Sequence, residues 1–207
     1  MLQIFKEENE LIVESLRAQG WAVCPMYFSA DLIMGLRADL RAQAKEGNFR
    51  AAAIGRGEDK NQKGEVRNDM TLWLDGHNTA QAQFLRVMDD LRVMLNQHLF
   101  LGLNDYEAHF AQYAPGGFYK KHRDAFTGQK NRMVSTVTYL TPHWQEEEEG
   151  HLVLYDGKDE EQELTRILPR AGTLAVFLSE DIPHEVLPPT RTRESIAGWF
   201  RCDKKVV

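Results

Sequence analysis

His122 and Asp124 stand two positions apart in the stretch KKHRDAF, residues 120–126. Both side chains can ligate a metal, and in an extended chain residues i and i+2 point to the same side. The pair alone is weak evidence, because a His-x-Asp step is also an ordinary charged turn. A third ligand stands in DIPHEVLP, where His184 opens a short β-type run some sixty residues further on. Two imidazoles and one carboxylate on one face of a metal leave coordination positions open for a chelating co-substrate and a small gas molecule. Zn²⁺ also accepts His and Asp, so the donor set by itself leaves the metal open.

What argues beyond zinc is a second polar group. Arg193 follows His184 by nine residues and begins a run in which Arg193, Ser195, Ala197 and Trp199 share one face. A guanidinium beside small residues and one aromatic wall forms a slot for a carboxylate, which arginine binds through two parallel hydrogen bonds. In RMVSTVTYL, alternation places Met133, Ser135, Val137 and Tyr139 on a common face, and Tyr139 can add a phenol OH to the same carboxylate. Taken singly, Arg193 reads as a surface strand charge, and Tyr139 and Trp199 as core aromatics.

These groups need a rigid scaffold. From about residue 105 onward, short runs rich in β-branched and aromatic residues alternate with turn signals: YEAHFAQY, FYKKH, RMVSTVTYL, GHLVLYD, LTRILP, TLAVFL, HEVLP and RESIAGWF. Eight strands in about a hundred residues indicate a sandwich or barrel. In a double-stranded β-helix, or jelly roll, the second and seventh strands are neighbours, which would bring His184 to His122 and Asp124. APGG at 114–117 reads as a turn, and EEEE at 146–149 as a solvated loop.

The first hundred residues read mainly as helix. KEENELIVESLRAQG places Leu11, Ile12 and Leu16 on one face and stops at Gly20. WAVCPMYF reads as a short strand. SADLIMGLRADLRAQAKEG has Ser29 as N-cap and Gly47 as stop. NTAQAQFLRVMDDLRVMLNQHLF is amphipathic, with Phe84, Leu85, Met88, Leu91 and Leu95 spaced for burial. Between these helices, residues 48–69 carry charge, amides and glycine without a sustained period, the mark of a functional or mobile loop. MTLWLDG then reads as a strand. The expected organisation is one domain over 1–207: 1–104 a mainly helical support with the loop 48–69, and 105–202 the β core.

Composition bounds the function. The net charge of −6 argues against a nucleic-acid binder, which carries a basic face. No apolar run reaches membrane-spanning length, and MLQIFKEENE has no signal-peptide core, which favours the cytoplasm and no membrane contact. Cys24 and Cys202 form no CxxC pair and read as plain thiols. His77, His98, His109, His143 and His151 lack paired spacing and read as structural or exposed.

The motifs QYAPGGFYKKHRDAF, RMVSTVTYL, GTLAVFLSEDIPHEV and TRESIAGWF together resemble those of the Fe(II)/2-oxoglutarate-dependent oxygenases. Within that group they are similar to the prolyl 4-hydroxylases, on the branch of the hypoxia-inducible-factor prolyl hydroxylases and their bacterial relatives. The resemblance spans about 105–202, with a weaker match at RNDMTLWLDG. It implies that His122, Asp124 and His184 bind Fe(II), that Arg193 pairs with the distal carboxylate of 2-oxoglutarate, and that Tyr139 and Tyr113 line the co-substrate pocket. Trp199 is implied at its wall. Arg132 and Arg67 match positions near the peptide groove, and Asp69 and Arg56 join them as expected polar contacts from the 48–69 segment.

The implied reaction is C4 hydroxylation of a prolyl residue in a protein, with O₂ consumed, succinate and CO₂ released, and ascorbate as a candidate reductant. The substrate would present a proline-containing loop. Elongation factor Tu is a guess drawn from the bacterial relatives. The competing readings are a small-molecule or free amino-acid hydroxylase, which needs no long loop; a nucleic-acid demethylase, which carries a second Arg where this chain has Trp199; and a non-catalytic binding module on the same fold.

Overall fold

The computed structural model describes residues 2–52, 66–125 and 131–202, with side chains described from Glu7 onward. Arg56 and residues 53–65 of the expected 48–69 loop lie outside the described residues. In chain order the elements are α1 (Leu2–Gln19), β1 (Trp21–Cys24), α2 (Ala30–Lys45), β2 (Arg50–Ala51), β3 (Met70–Trp73), α3 (Thr79–Leu99) and β4 (Asp105–Tyr113). They continue as β5 (Tyr119–His122), β6 (Arg132–Tyr139), β7 (Leu152–Tyr155), β8 (Glu163–Ile167), β9 (Leu174–Leu178), β10 (His184–Val186) and β11 (Arg193–Arg201). Each of the eight runs expected after residue 105 forms a strand. β2 was not foreseen in the 48–69 segment: two residues carry no readable period, and only pairing with β3, Arg50 opposite Thr71, makes them a strand.

Two antiparallel sheets form. One orders its strands β1-β9-β6-β11-β4-β3-β2 and the other β5-β10-β7-β8. The eight strands β4–β11 divide four and four between the sheets, which is the double-stranded β-helix with added strands on the larger sheet. The helices cover the outer face of that larger sheet.

Two cores follow from strand alternation. Phe110, Val134, Val176, Ile196 and Phe200 face the helices and pack with Ile12, Leu16, Leu36, Phe84, Met88, Leu91 and Leu95. Ala111, Tyr139, Ala175 and Phe177 face the other way, against Leu152, Leu154 and Val186 of the smaller sheet. Side-chain period 2 in the strands thus gives one helix-facing and one sheet-facing layer.

The helices begin and end where their residues dictate. Ser29 caps α2 by accepting from the Leu32 N–H, and Asn78 caps α3 by accepting from Gln81. α1 stops at Gly20, whose φ of +81° suits glycine and whose N–H still bonds Leu16 O. Gln81, fully buried, accepts from the backbone N–H groups of Asp75 and Gly76 and donates to Asp39, so it ties the chain after β3 to α2 and α3. Two readings change. Leu11 is 60% exposed, because the buried stripe of α1 runs through Ile12, Val13 and Leu16 instead. Met133 packs with the helix-side cluster, because the register steps from Phe200–Val134 to Arg201–Arg132 and skips it; a bulge breaks the alternation there. Among the described residues no helix is long and apolar enough to cross a membrane.

One steric dependence can be tested. A Cβ on Gly198 would lie 2.1 Å from the Tyr106 hydroxyl, which bonds Thr136 Oγ1 beneath the helices. Gly198→Ala should therefore cost about 1–3 kcal/mol, the usual penalty of an overpacked core. Urea unfolding of the variant beside wild type measures it.

Candidate active site

The smaller sheet brings the distant ligands together. In the antiparallel pair β10–β5, His184 stands directly opposite His122. β5 ends at His122, and the chain bends so that Asp124 returns to the same spot while Arg123 points away, onto Glu160 and the carbonyls of Gly157 and Glu180. Ligand atoms of His122, Asp124 and His184 all lie within 4.8 Å of one another. His122 Nε2 is 3.5 Å from Asp124 Oδ1, and His184 Nε2 is 3.5 Å from Asp124 Oδ2.

Each ligand is held in the form a metal needs. His122 Nδ1 lies 2.8 Å from Lys120 O and His184 Nδ1 3.2 Å from Ile182 O. A carbonyl only accepts, so each Nδ1 carries a proton, and the two Nε2 atoms are the ones that face Asp124. The rings are wedged: Tyr119 stacks on His122 at 3.5 Å, and Phe177 packs on His184 at 4.6 Å. Ser135 Oγ donates to Asp124 Oδ2 at 2.7 Å and also meets Ser179 Oγ at 2.8 Å. A hydroxyl has one proton, so Ser179 is the donor of that second bond. Burial opposes ionisation of Asp124, but the two imidazoles outweigh it and hold the carboxyl well below the usual carboxylate range. Burial, helped by His122, pushes His184 down to about 4. An ionised Asp124 and a neutral His184 are the protonation states of ligands.

The three ligands open on a cavity of about 480 Å³, counted to its mouth, which Tyr113, Val137, Leu152, Val186, Ser195 and Ala197 help to line. Arg193 also lines it, although the residue is only 1% exposed. Its Nε donates to Gly150 O at 3.0 Å and its Nη1 to Ser195 Oγ at 3.0 Å, while the Tyr113 and Tyr139 rings sit 5.1 Å from the guanidinium carbon. Among the described residues, Nη2 of Arg193 and the hydroxyl of Tyr139 are buried without a partner in hydrogen-bond geometry, with each other as near neighbours. Buried donors are rarely left so. Two of them here meet the requirement of a carboxylate, so the residues present fit 2-oxoglutarate as well as Fe(II).

EEEE is solvated as expected, with Glu146, Glu147 and Glu149 exposed, but the segment also has a role through Gly150. Glu146–Glu148 form a short 3-10 turn, Glu148 pairs with Arg191 at 2.7 Å, and Trp144 Nε1 donates to Glu149 O. The segment holds the Gly150 carbonyl on Arg193 Nε.

The mouth carries the remaining expected residues. Trp199 lines it, with the Arg132 guanidinium 3.6 Å over its ring and Arg132 paired to Glu107. Arg67 lies 4.1 Å over Tyr119 and grips Asp69 through two bonds of 2.7 and 2.6 Å. The Asp69 carboxylate is thereby buried and engaged, so Asp69 positions Arg67 and is not free to contact substrate directly. His109 was passed over, yet it lines the cavity and packs against Trp73 and Trp199. Burial, with Arg67 nearby, pushes it down to about 4, so it is a neutral imidazole. Its signal was available, since residues 109, 111 and 113 share a strand face. Tyr119 had no such signal, because β5 is irregular between its pairings of Tyr119 and His122.

Comparison with known proteins follows this geometry. A family model described as the 2OG-Fe(II) oxygenase superfamily matches residues 108–201. A crystal structure of a Pseudomonas putida prolyl-4-hydroxylase is 40% identical, covers 94% of this chain and 99% of its own, and superposes with a TM-score of 0.85. A Trichoplax adhaerens prolyl hydroxylase, solved with a hypoxia-inducible-factor oxygen degradation domain peptide, is 23% identical, with coverage of 97% and 91% and a TM-score of 0.85. A hypoxia-inducible factor prolyl hydroxylase of Caenorhabditis elegans is 27% identical over 206 residues; the match takes in 92% of this chain but only 28% of that relative's length. Fold, ligand set and the 40% identity across nearly the full length of the Pseudomonas enzyme agree, and the chain belongs to the 2OG-Fe(II) oxygenases of the prolyl 4-hydroxylase family.

Proposed function

We propose that the protein hydroxylates a prolyl residue of a protein substrate at C4, using Fe(II), 2-oxoglutarate and O₂. The observation that carries this reading is the unpartnered buried donor Arg193 Nη2 in the same cavity as the three ligands, with the equally unpartnered Tyr139 hydroxyl on a ring 5.1 Å from that guanidinium. A bare zinc site would not by itself account for the carboxylate anchor at Arg193. A nucleic-acid demethylase would need a basic surround, whereas this chain has a net charge of −6.

When bound, Fe(II) with 2-oxoglutarate and O₂ supplies the oxidising power for C–H hydroxylation, coupled to release of succinate and CO₂. The chain's own residues do the rest. His122, Asp124 and His184 hold the metal by one side. Arg193 and Tyr139 take the far carboxylate of the co-substrate and so fix which way its chelating end points. Val137, Leu152, Val186 and Ala197 keep water from the walls. Arg67, fastened by Asp69, and Arg132, laid on Trp199, present cations at the mouth and suit the carbonyl groups of an extended peptide.

Relatives acting on protein prolines support a protein substrate, and elongation factor Tu is the finer candidate. The decisive experiment incubates the Fe(II) protein with 2-oxoglutarate and a lysate, then maps +16 Da sites by mass spectrometry. Modified prolines that appear only with co-substrate support the reading; oxidation confined to free amino acids or small molecules moves it to the second class.

Two substitutions probe the machinery. Asp124→Ala or His122→Ala should abolish Fe(II)-dependent succinate formation and leave the circular dichroism spectrum unchanged, since the ligands sit at the cavity and contribute little to either core. Arg193→Ala removes a charge-assisted bond worth about 1.5–3 kcal/mol and should raise the 2-oxoglutarate requirement roughly ten- to a hundredfold. Tyr139→Phe should shift it in the same direction by less. A titration of co-substrate at fixed Fe(II) reads both, and an unchanged requirement in Arg193→Ala would place the anchor elsewhere.

A further inference from the structure

Arg193 sits at an awkward place for an anchor. On one side β11 begins pairing with β4 at Arg193 itself, opposite Tyr113, but on the other its ladder with β6 begins only at Ser195 opposite Tyr139. On that side the strand end that carries the guanidinium is accompanied only by the irregular chain after β6, Leu140 and Thr141. Ends of strands fray unless something fastens them.

The next residue is the fastening. Glu194 points to the opposite face of β11, under the helices, and is only 2% exposed. Its carboxylate receives Arg37 Nε at 2.6 Å and Arg41 Nε at 2.9 Å, both from α2. Its backbone is also tied on the β6 side, with its N–H to Thr141 Oγ1 at 2.9 Å and its carbonyl to Leu140 N at 2.9 Å. A carboxylate placed in that layer is a costly way to build a core, since apolar residues of equal volume commonly do as well or better. What two arginines on one carboxylate provide is a fixed position, because their planar forks accept few alternative geometries.

We infer that Glu194, clamped by Arg37 and Arg41 of α2, is a positioning residue that aims Arg193 at the co-substrate carboxylate. The inference rests on the oxygenase reading above. Glu194 touches no substrate; it acts through the strand end. Arg193 keeps one unpartnered nitrogen, Nη2, so a small displacement of its backbone misdirects the part of the fork left for the anchor. The helical layer is thereby coupled to co-substrate affinity, and by linkage the co-substrate steadies α2 against β11.

The test uses the full chain loaded with Mn(II), which holds the ligand geometry without turnover. Glu194→Gln, and the double variant Arg37→Gln with Arg41→Gln, are compared with wild type well below their melting temperatures. Calorimetry reads 2-oxoglutarate binding and electron paramagnetic resonance reads Mn(II) binding. The clamp requires 2-oxoglutarate to bind roughly five- to thirtyfold more weakly, the lower part of the usual range of such couplings, with Mn(II) affinity unchanged. Arg37→Lys with Arg41→Lys should recover part of the loss, because lysine keeps the charge but not the fork. Folded variants that bind 2-oxoglutarate as wild type does would overturn the proposal. So would Mn(II) and 2-oxoglutarate affinities that fall together, which would mark general damage to the barrel. A wild-type protein that holds Mn(II) but takes up no 2-oxoglutarate would remove the oxygenase reading itself, and the clamp with it.

Discussion

The antiparallel register that sets His184 opposite His122 is the constraint on which the site depends. It is a backbone property. Two strands far apart in sequence pair so that their imidazoles fall on one side, and the bend after β5 brings Asp124 to the gap between them. Register in a sheet with one buried face is strongly specified, because a slip of one residue would turn each side chain to the other face. The sheet-facing core supplies that specification: Leu152 and Leu154 of β7 pair with β10 at Val186 and His184, and all four residues are buried. The apolar pattern that folds the smaller sheet is therefore also what places the ligands.

The second constraint is a buried positive charge. Arg193 is nearly inaccessible, and an isolated guanidinium would not be tolerated there. Gly150 O, Ser195 Oγ and two tyrosine faces compensate it in part. One nitrogen is left over, and the Tyr139 hydroxyl beside it is left over too. A site that satisfied these donors internally would be more stable and would bind nothing. The protein leaves them open where a dicarboxylate can complete them. Gly150 belongs to this arrangement: at φ +70° and with Pro189 2.8 Å from where a Cβ would stand, only glycine presents its carbonyl there.

The mouth is built differently, from charges that hold one another in place. Asp69 fixes Arg67 over Tyr119, and Glu107 fixes Arg132 over Trp199. Each cation thus rests on an aromatic ring that itself faces the metal region, Tyr119 through His122 and Trp199 through the shared cavity wall. Neutral His109 fills the space between Trp73 and Trp199. The rim thus presents preset donors and aromatic faces instead of long free side chains, which lowers the ordering cost for any ligand that docks there.

Much of this was legible in the residues themselves. Eight alternating runs bounded by turns announce a two-sheet β fold, because period 2 is a local property of one strand and survives in any sequence that builds it. The helices announced themselves by their caps and stripes. The types at positions 122, 124, 184 and 193 suffice to suggest an open metal site with a carboxylate anchor, since the chemistry resides in the side chains. What pairing alone decided was less visible. Met133 leaves its expected face because the β6–β11 register skips it, and β2 exists only because β3 lies beside it. Asp69 becomes a support for Arg67, and EEEEG an anchor for Arg193, through contacts set by tertiary packing. Nothing along the chain singles out Glu194, a charged residue at the end of its strand. Its burial under Arg37 and Arg41 comes from the helical layer some 150 residues away in sequence. Alternation and residue type are local and can be read from the chain, whereas register shifts, buried charge partners and the sharing of one cavity by six strands exist only once non-local pairings have closed.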